Sequence, residues 1–297
     1  MNGGGGSFGG AETERIVRDE LARHDLDANI HIAGDGGEIA SIADAAASSD
    51  AAILIAGGGD GTINTVAARA VENGKTLGII PLGTRNHFAR DLGIPLDIAG
   101  AIEVIAQNHT RKVDVGEVNG RIFINNSSIG LYPRIVRRRK VEQERLGRGK
   151  WSAALSAAWR VFLRDPFVKV RIRLQQRQFV RKTPFVFIGN NEYHMDLYNI
   201  GGRPTLDDGH LSLYFLHRGG RWGVIMLLIK TVFGALRQAR EFETLSIEKV
   251  TLTTHRKRVV TAIDGETVLM ESPLEYRIRP GELRVIAPPA DAIGNNA

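Results

Sequence analysis

Six apolar residues, Ala51-Ala52-Ile53-Leu54-Ile55-Ala56, run unbroken into the turn Gly57-Gly58-Gly59-Asp60-Gly61-Thr62. An uninterrupted apolar run of this length marks a parallel strand covered on both faces. Beyond the glycines, Ile63, Val66, Ala67, Ala70 and Val71 fall at the i, i+3, i+4, i+7, i+8 spacing of a helix with one apolar face. A doubly buried strand, a tight turn and an amphipathic helix in succession restrict this part of the chain to a layered α/β architecture.

The flanking residues extend the pattern. Helical spacing over 12–24, a short strand over 30–33, an alanine-rich helix over 38–47, a strand over 77–80 and a helix starting near Asp97 complete a Rossmann-like alternation. After residue 116 the period changes. Short alternating runs at 168–174, 185–188, 211–215, 250–253, 259–263 and 276–278 predict a β-sandwich-rich region, with helical signals only near 151–163 and 222–239. The chain of 297 residues therefore reads as α/β + β: a Rossmann-like α/β domain over 1–116, a β-sandwich-rich domain over 117–290, and a tail over 291–297.

Composition removes several function classes. No cysteine is present, so disulfide frameworks, thiolate metal sites and cysteine nucleophiles are excluded. The longest strongly apolar run stops at Lys230, well short of the roughly 18–20 residues a membrane span needs. Glycines stand where a signal peptide would carry basic and then apolar residues, and the expectation is a cytosolic protein. Net charge is +6 but unevenly placed: residues 111–182 hold nineteen basic and five acidic side chains, including Arg137-Arg138-Arg139-Lys140. Such a surplus attracts phosphate-rich partners, whether nucleic acid, an anionic bilayer or a phosphorylated substrate, although a solvated basic face is as common. No helix-turn-helix or aromatic-stacking motif accompanies it, so nucleic acid is not the expected partner.

The turn after Ala56 carries chemistry. Glycines allow positive φ and close approach of a ligand to the main chain, and free amides at a helix start favour phosphate. A carboxylate at Asp60 would repel phosphate unless Mg²⁺ lies between them. The turn lacks the Gly-Lys-Ser/Thr of a P-loop and the G-x-G-x-x-G of a dinucleotide site. A second turn, Pro81-Leu82-Gly83-Thr84-Arg85-Asn86-His87-Phe88-Ala89-Arg90, also follows a strand's carboxyl end, where open α/β sheets bind ligands.

Together these residues resemble the diacylglycerol kinase catalytic family of lipid kinases, which includes sphingosine and ceramide kinases, and in particular its soluble bacterial branch. Gly58-Gly59-Asp60-Gly61-Thr62 is similar to the family's GGDGT motif, and Pro81-Leu82-Gly83-Thr84-x-Asn86-x-Phe88-Ala89 to its PLGTxNDFA signature. Leu206-Asp207-Asp208-Gly209 is similar to its metal loop and Asp264-Gly265-Glu266 to its DGE motif. The resemblance implies a two-domain kinase with ATP in the cleft between the domains, Mg²⁺, and a lipid hydroxyl as acceptor. It implies that Asp264 accepts the hydroxyl proton and that Glu266 lines the nucleotide site. Asn2, Gly58, Gly59, Asp60, Gly61, Thr62, Ile63, Asn64, Thr65, Thr84 and Asn86 would hold the nucleotide. Asp208 by carboxylate, and Thr205 and His210 by main-chain carbonyls, would carry the metal, with Asp60 reaching it through water. It further implies lipid at a membrane surface as partner, peripheral association with the inner face of the membrane, and a homodimer. Without the resemblance, Asp264-Gly265 reads as a hairpin turn and Asp207-Asp208-Gly209 as another turn.

Two departures from the pattern stand out. Asn2-Gly3-Gly4-Gly5-Gly6-Ser7 resembles the family's phosphate loop, but only Met1 precedes it, so the first strand is expected to be missing. Arg85 stands where relatives carry a small or apolar residue, and His87 replaces the common Asp. The apolar stretch 222–239 reads either as a buried core helix, the commoner meaning, or as an acyl-chain pocket. Two rivals share parts of this reading: a NAD kinase, which also uses GGDGT, and a catalytically silent nucleotide- or lipid-binding protein.

Overall fold

The computed structural model describes residues 1, 10–130, 133, 167–175, 177–193, 202–216 and 242–289. The expected helices at 151–163 and 222–239, the basic run 137–140, the loop 2–7 and the tail 291–297 lie outside the described residues. The elements open with α1 (Gly10–Arg23), α2 (Gly36–Ala47), β1 (Ile53–Gly58), α3 (Asp60–Glu72), β2 (Thr76–Pro81), α4 (His87–Asp91) and α5 (Ile98–Gln107). Then come β3 (Thr110–Val118), β4 (Arg121–Phe123), β5 (Asn126–Gly130), β6 (Val168–Arg173), β7 (Gln178–Thr183) and β8 (Phe185–Asn190). The last are β9 (Leu211–Leu216), β10 (Phe242–Ile247), β11 (Lys249–Thr254), β12 (Arg258–Ile263), β13 (Glu266–Glu271) and β14 (Leu274–Ile286).

Two compact units emerge. The first comprises Met1–Val115, Gly202–Gly209 and Arg279–Ala297; the second comprises Gly116–Gly201 and His210–Ile278. In the first unit β1 pairs in parallel with β2, and β2 pairs in parallel with the end of β14 through Arg284 and Val285. Every residue of β2 is buried, as a parallel strand covered on both faces requires. Val17 and Leu21 of α1 and Ile102 and Ile105 of α5 close one side of this sheet against Ile80 and Ile286. The strand expected over 30–33 is instead a single bridge at Ala33. Its backbone partner is Met1: Ala33 N–H donates to the Met1 carbonyl, and the Met1 ammonium donates to the His31 carbonyl.

The second unit is an antiparallel β-sandwich. One of its sheets has the order β10-β9-β8-β5-β12-β13, and the other contains β11, β6 and β7 alongside the first part of β14. In β6 burial alternates residue by residue, so Val168, Val170 and Ile172 face inward while Lys169, Arg171 and Arg173 face out. The inward side chains of both sheets form one core, with Ile129, Val186, Ile188, Leu213 and Phe215 meeting Val170, Ile172, Leu252 and Tyr276. The architecture is thus the expected α/β unit with a β-sandwich.

Candidate active site

In the first unit the parallel register aligns Gly58 with Pro81, so the turns after β1 and β2 leave the same edge of the sheet. Leu82 N–H donates to the Gly58 carbonyl at 3.0 Å, tying one turn to the other. The glycines are there for proximity. A Cβ on Gly83 would stand 2.5 Å from Gly59 Cα and 2.7 Å from Asn86 Oδ1, and one on Gly58 would stand 2.6 Å from Thr62 Oγ1. Asn86 takes the left-handed conformation, at φ 50°. Its side chain is spent within the turn, accepting from Gly83 N–H at 3.0 Å and donating to the Gly83 carbonyl at 2.7 Å.

Helix starts in this unit differ in a telling way. Asp35 caps α2 and Asp97 caps α5 with their carboxylates, whereas α3 begins at Gly59 with no side-chain cap. The first amides of a helix have no intrahelical partner and carry the positive end of its dipole. Asp60 reaches across to the second turn, accepting from Phe88 N–H at 3.4 Å. Thr65 Oγ1 donates back to the Gly61 carbonyl, and Asn64 Oδ1 is buried with no hydrogen-bond partner among the described residues.

The segment Gly202–Gly209 belongs to this same unit, although both its neighbours in sequence belong to the other. Two buried groups hold it. Arg203 Nε donates to Asp91 Oδ2 at 2.8 Å, and burial, the main cause, pushes the Asp91 carboxyl above its ordinary value against the opposing pull of Arg203. Asp114 accepts from Gly209 N–H at 2.7 Å through Oδ2 and from Gly281 N–H at 2.8 Å through Oδ1. The Asp114 amide in turn donates to the Leu206 carbonyl. Burial raises the Asp114 carboxyl too; the Gly281 and Gly209 amides oppose the shift, and the Asp207 and Asp208 carboxylates add to it. Gly209 has φ 74°, a conformation glycine adopts without steric cost.

In the second unit, Asp264 and Gly265 form the two-residue loop joining β12 to β13, with Ile263 opposite Glu266 and positive φ at both loop positions. That is the hairpin geometry in which Asp-Gly is favoured. The side chain has a second task. Asp264 Oδ1 accepts from Asn125 N–H at 2.9 Å and Asn126 N–H at 2.8 Å, and Oδ2 accepts from Ile124 N–H at 2.8 Å. The hairpin reading and the site reading of this residue are therefore compatible. The loop that supplies these amides is itself braced: Asn190 Nδ2 donates to the Ile124 carbonyl and Tyr193 Oη to the Asn125 carbonyl. His210 lies at the same end of the sheet, its carbonyl accepting from Asn191 N–H at 3.0 Å.

The residues named from sequence thus fall into two groups. Gly58 to Thr65, Thr84, Asn86, Thr205 and Asp208 lie in the first unit, while Asp264, Glu266 and His210 lie in the second. Asn2 lies outside the described residues. Glu266 is exposed, as are Thr84, Arg85 and His87. Asp91, Asp114, Arg203, Asn190 and Tyr193 escaped sequence reasoning. Only Asp114 carried a signal, as a carboxylate flanked directly by Val113 and Val115.

The donor set suits Mg²⁺. Among the described residues no three His, Asp or Glu side chains converge into a cage. Mg²⁺ asks for less, one or two carboxylates completed by water and phosphate. Asp207 and Asp208 would supply them, and Thr205 Oγ1 beside them in sequence is buried without a hydrogen-bond partner among the described residues.

Comparison with known proteins places this geometry. Residues 1–118 match the diacylglycerol kinase catalytic domain, and residues 132–287, more than half of the chain, match the YegS C-terminal NAD kinase beta sandwich-like domain. The chain belongs to the diacylglycerol kinase catalytic family. Among relatives of this family, diacylglycerol kinase of Staphylococcus epidermidis is 50% identical over 90 residues, which is 30% of this chain and 28% of that one. The enzyme of Staphylococcus haemolyticus is 52% identical over 80 residues, 26% of this chain and 24% of its own. The matched segments thus span about a quarter of those relatives' length. A diacylglycerol kinase structure from Bacillus anthracis str. Sterne superposes with TM-score 0.69 at 21% identity, over 97% of this chain and 95% of that one. Another structure from that organism reaches TM-score 0.73 at 24% identity, over 97% and 96% of the two chains. These two likenesses establish the family's fold. Among the described residues no helix is long and apolar enough to cross a membrane.

Proposed function

We propose that this chain is an ATP- and Mg²⁺-dependent lipid kinase that transfers the γ-phosphoryl group to the hydroxyl of a lipid such as diacylglycerol. The observation that carries the nucleotide half is the pair of glycine turns at one edge of the parallel sheet, tied together at Gly58 and Leu82, with α3 entered through Gly59, an N-cap that has no side chain to place over the helix start. Backbone amides at such a helix start hold phosphate oxygens. Asp208 and Thr205, with Asp60, would hold Mg²⁺, which when bound offsets the charge of the transferring phosphoryl group.

Asp264 supplies the proton acceptor. The acceptor hydroxyl oxygen forms a bond to the γ-phosphorus, the bond from that phosphorus to the β–γ bridging oxygen breaks, ADP departs, and the hydroxyl proton passes to the carboxylate. The three backbone N–H donors from residues 124–126 hold the Asp264 carboxylate in one orientation. Their bonds to an ionised acceptor are stronger than neutral ones.

A lipid acceptor also calls for a bilayer surface, and the outward face of β6 and β7 suits the inner leaflet. Its six positions are Lys169, Arg171, Arg173, Gln178, Val180 and Lys182, four cations with no carboxylate. Anionic headgroups attract such residues at about 1 kcal/mol each.

The test uses labelled ATP, Mg²⁺ and mixed micelles carrying a bacterial lipid extract, with the unmodified chain beside Asp264→Asn. A labelled lipid that disappears in the variant supports the reading and reveals the acceptor. Label transferred to NAD but to no lipid would replace it with a NAD kinase, and nucleotide binding without transfer to either would replace it with a silent binder.

A further inference from the structure

Arg203 and Asp91 stand 112 residues apart in sequence, yet their side chains are 0% and 7% exposed and meet at 2.8 Å. A second contact, from Arg203 N–H to Asp91 Oδ1 at 3.4 Å, fixes the main chain of the segment as well as its side chain. The guanidinium carbon lies 5.7 Å from the centre of the Phe88 ring. The amide of that same Phe88 donates to Asp60. One continuous set of contacts therefore runs from the Asp60 carboxylate through Phe88 to Arg203, two residues before Thr205.

Fold stability does not account for this arrangement. Removing two charges from water costs several kcal/mol for each ion, and apolar replacements of similar volume are often equally or more stable. Such a pair has one clear advantage over apolar packing. The directional contacts of a guanidinium define a single position for the chain that carries it. That chain continues directly into Thr205, Asp207 and Asp208.

We infer that Asp91 and Arg203 are positioning residues that hold the Thr205–Asp208 segment in register with Asp60 for the metal-bound nucleotide. This rests on the kinase reading above. Neither residue touches substrate; both act through the oxygens they place.

The decisive variant is the double substitution Asp91→Leu/Arg203→Met, which removes both charges and leaves none buried alone. Arg203→Lys, which keeps the charge but loses the planar fork, serves as a second. Binding of Mg²⁺–ADP and of ADP in chelator is measured by calorimetry, with cooperative thermal unfolding to confirm the fold. Supporting contacts of this kind are worth roughly 10–100-fold in metal affinity. The expected result is that Mg²⁺–ADP binds about 10-fold more weakly to the double variant while chelated ADP changes less than about two-fold, with Arg203→Lys between the two. A merely structural pair would not separate the two ligands. Equal Mg²⁺–ADP affinity in the folded double variant, or parallel losses for both ligands, overturns the inference; should the double variant not fold, the same comparison on Arg203→Lys decides. An unmodified chain that binds no Mg²⁺–ADP overturns the kinase reading, and this role with it.

Discussion

The two polar regions of this molecule use backbone amides in opposite ways. At the start of α3, Gly58, Gly59 and Gly83 bring two turns so close that a single Cβ would collide, and the N-cap, Gly59, has no side chain to place over the helix start. At the end of β12, the amides of Ile124, Asn125 and Asn126 are already taken by the Asp264 carboxylate. One region caps its helix start with no carboxylate of its own; the other spends donors to aim one. On the proposed reading, a phosphate host and a proton acceptor are made from the same backbone group, and what differs is whether the chain supplies the negative charge.

Substitutions can break that contrast. The largest effect is expected at Gly83→Ala, because the new Cβ meets the backbone of Gly59, which has no side chain to move aside. Overpacking of this kind costs about 1–3 kcal/mol, so nucleotide affinity should fall by roughly 10–100-fold in a binding titration. Gly58→Ala should fall by less, since its clash is with the Thr62 side chain. Unchanged affinity in both would show that the close approach of the two turns does not matter.

Next comes Asp264→Ala, which leaves three backbone donors without their carboxylate. Each buried donor left unsatisfied costs about 1–3 kcal/mol, so the thermal unfolding midpoint should drop clearly. Nucleotide affinity, which the proposed reading assigns mainly to the glycine turns of the other unit, should stay within about two-fold. A joint loss of both would mean that the two regions are not separate in function. The smallest effect is expected for Arg171→Gln on the outward face of β6. Loss of one cation near an anionic surface, about 1 kcal/mol, should weaken sedimentation with anionic vesicles about five-fold and leave neutral vesicles unaffected. Equal binding would remove that face as the lipid contact.

The two regions also differ in how far they could be read from sequence. The turn after β1 was legible because strand, glycines and helix are contiguous, and each announces itself by period or composition. Asp264 was nameable only through a family motif, since the hairpin it forms is what Asp-Gly between strands usually means. Nothing local connects it with residues 124–126, which stand about 140 positions earlier. Asp91 and Arg203 were invisible for the same reason. Among the elements, β7 was missed because Gln178, Arg181 and Lys182 give its edge strand a polar look. The short α4 was missed because five residues are too few to show a helical period.

A cut near Gly116 is also as much as periodicity can say about organisation. The return of Gly202–Gly209 and Arg279–Ala297 to the first unit follows from Asp114 gripping Gly209 and Gly281 and from the end of β14 lying beside β2. By itself the sequence determined the layered α/β class, the β-rich second part and the glycine turn that can host phosphate, because local period and chain flexibility are properties of neighbouring residues. Which amides hold Asp264, which glycines Asp114 grips and which arginine meets Asp91 were decided only by the tertiary structure. Those partners are distant in the chain, and it is burial that makes each of them require the other.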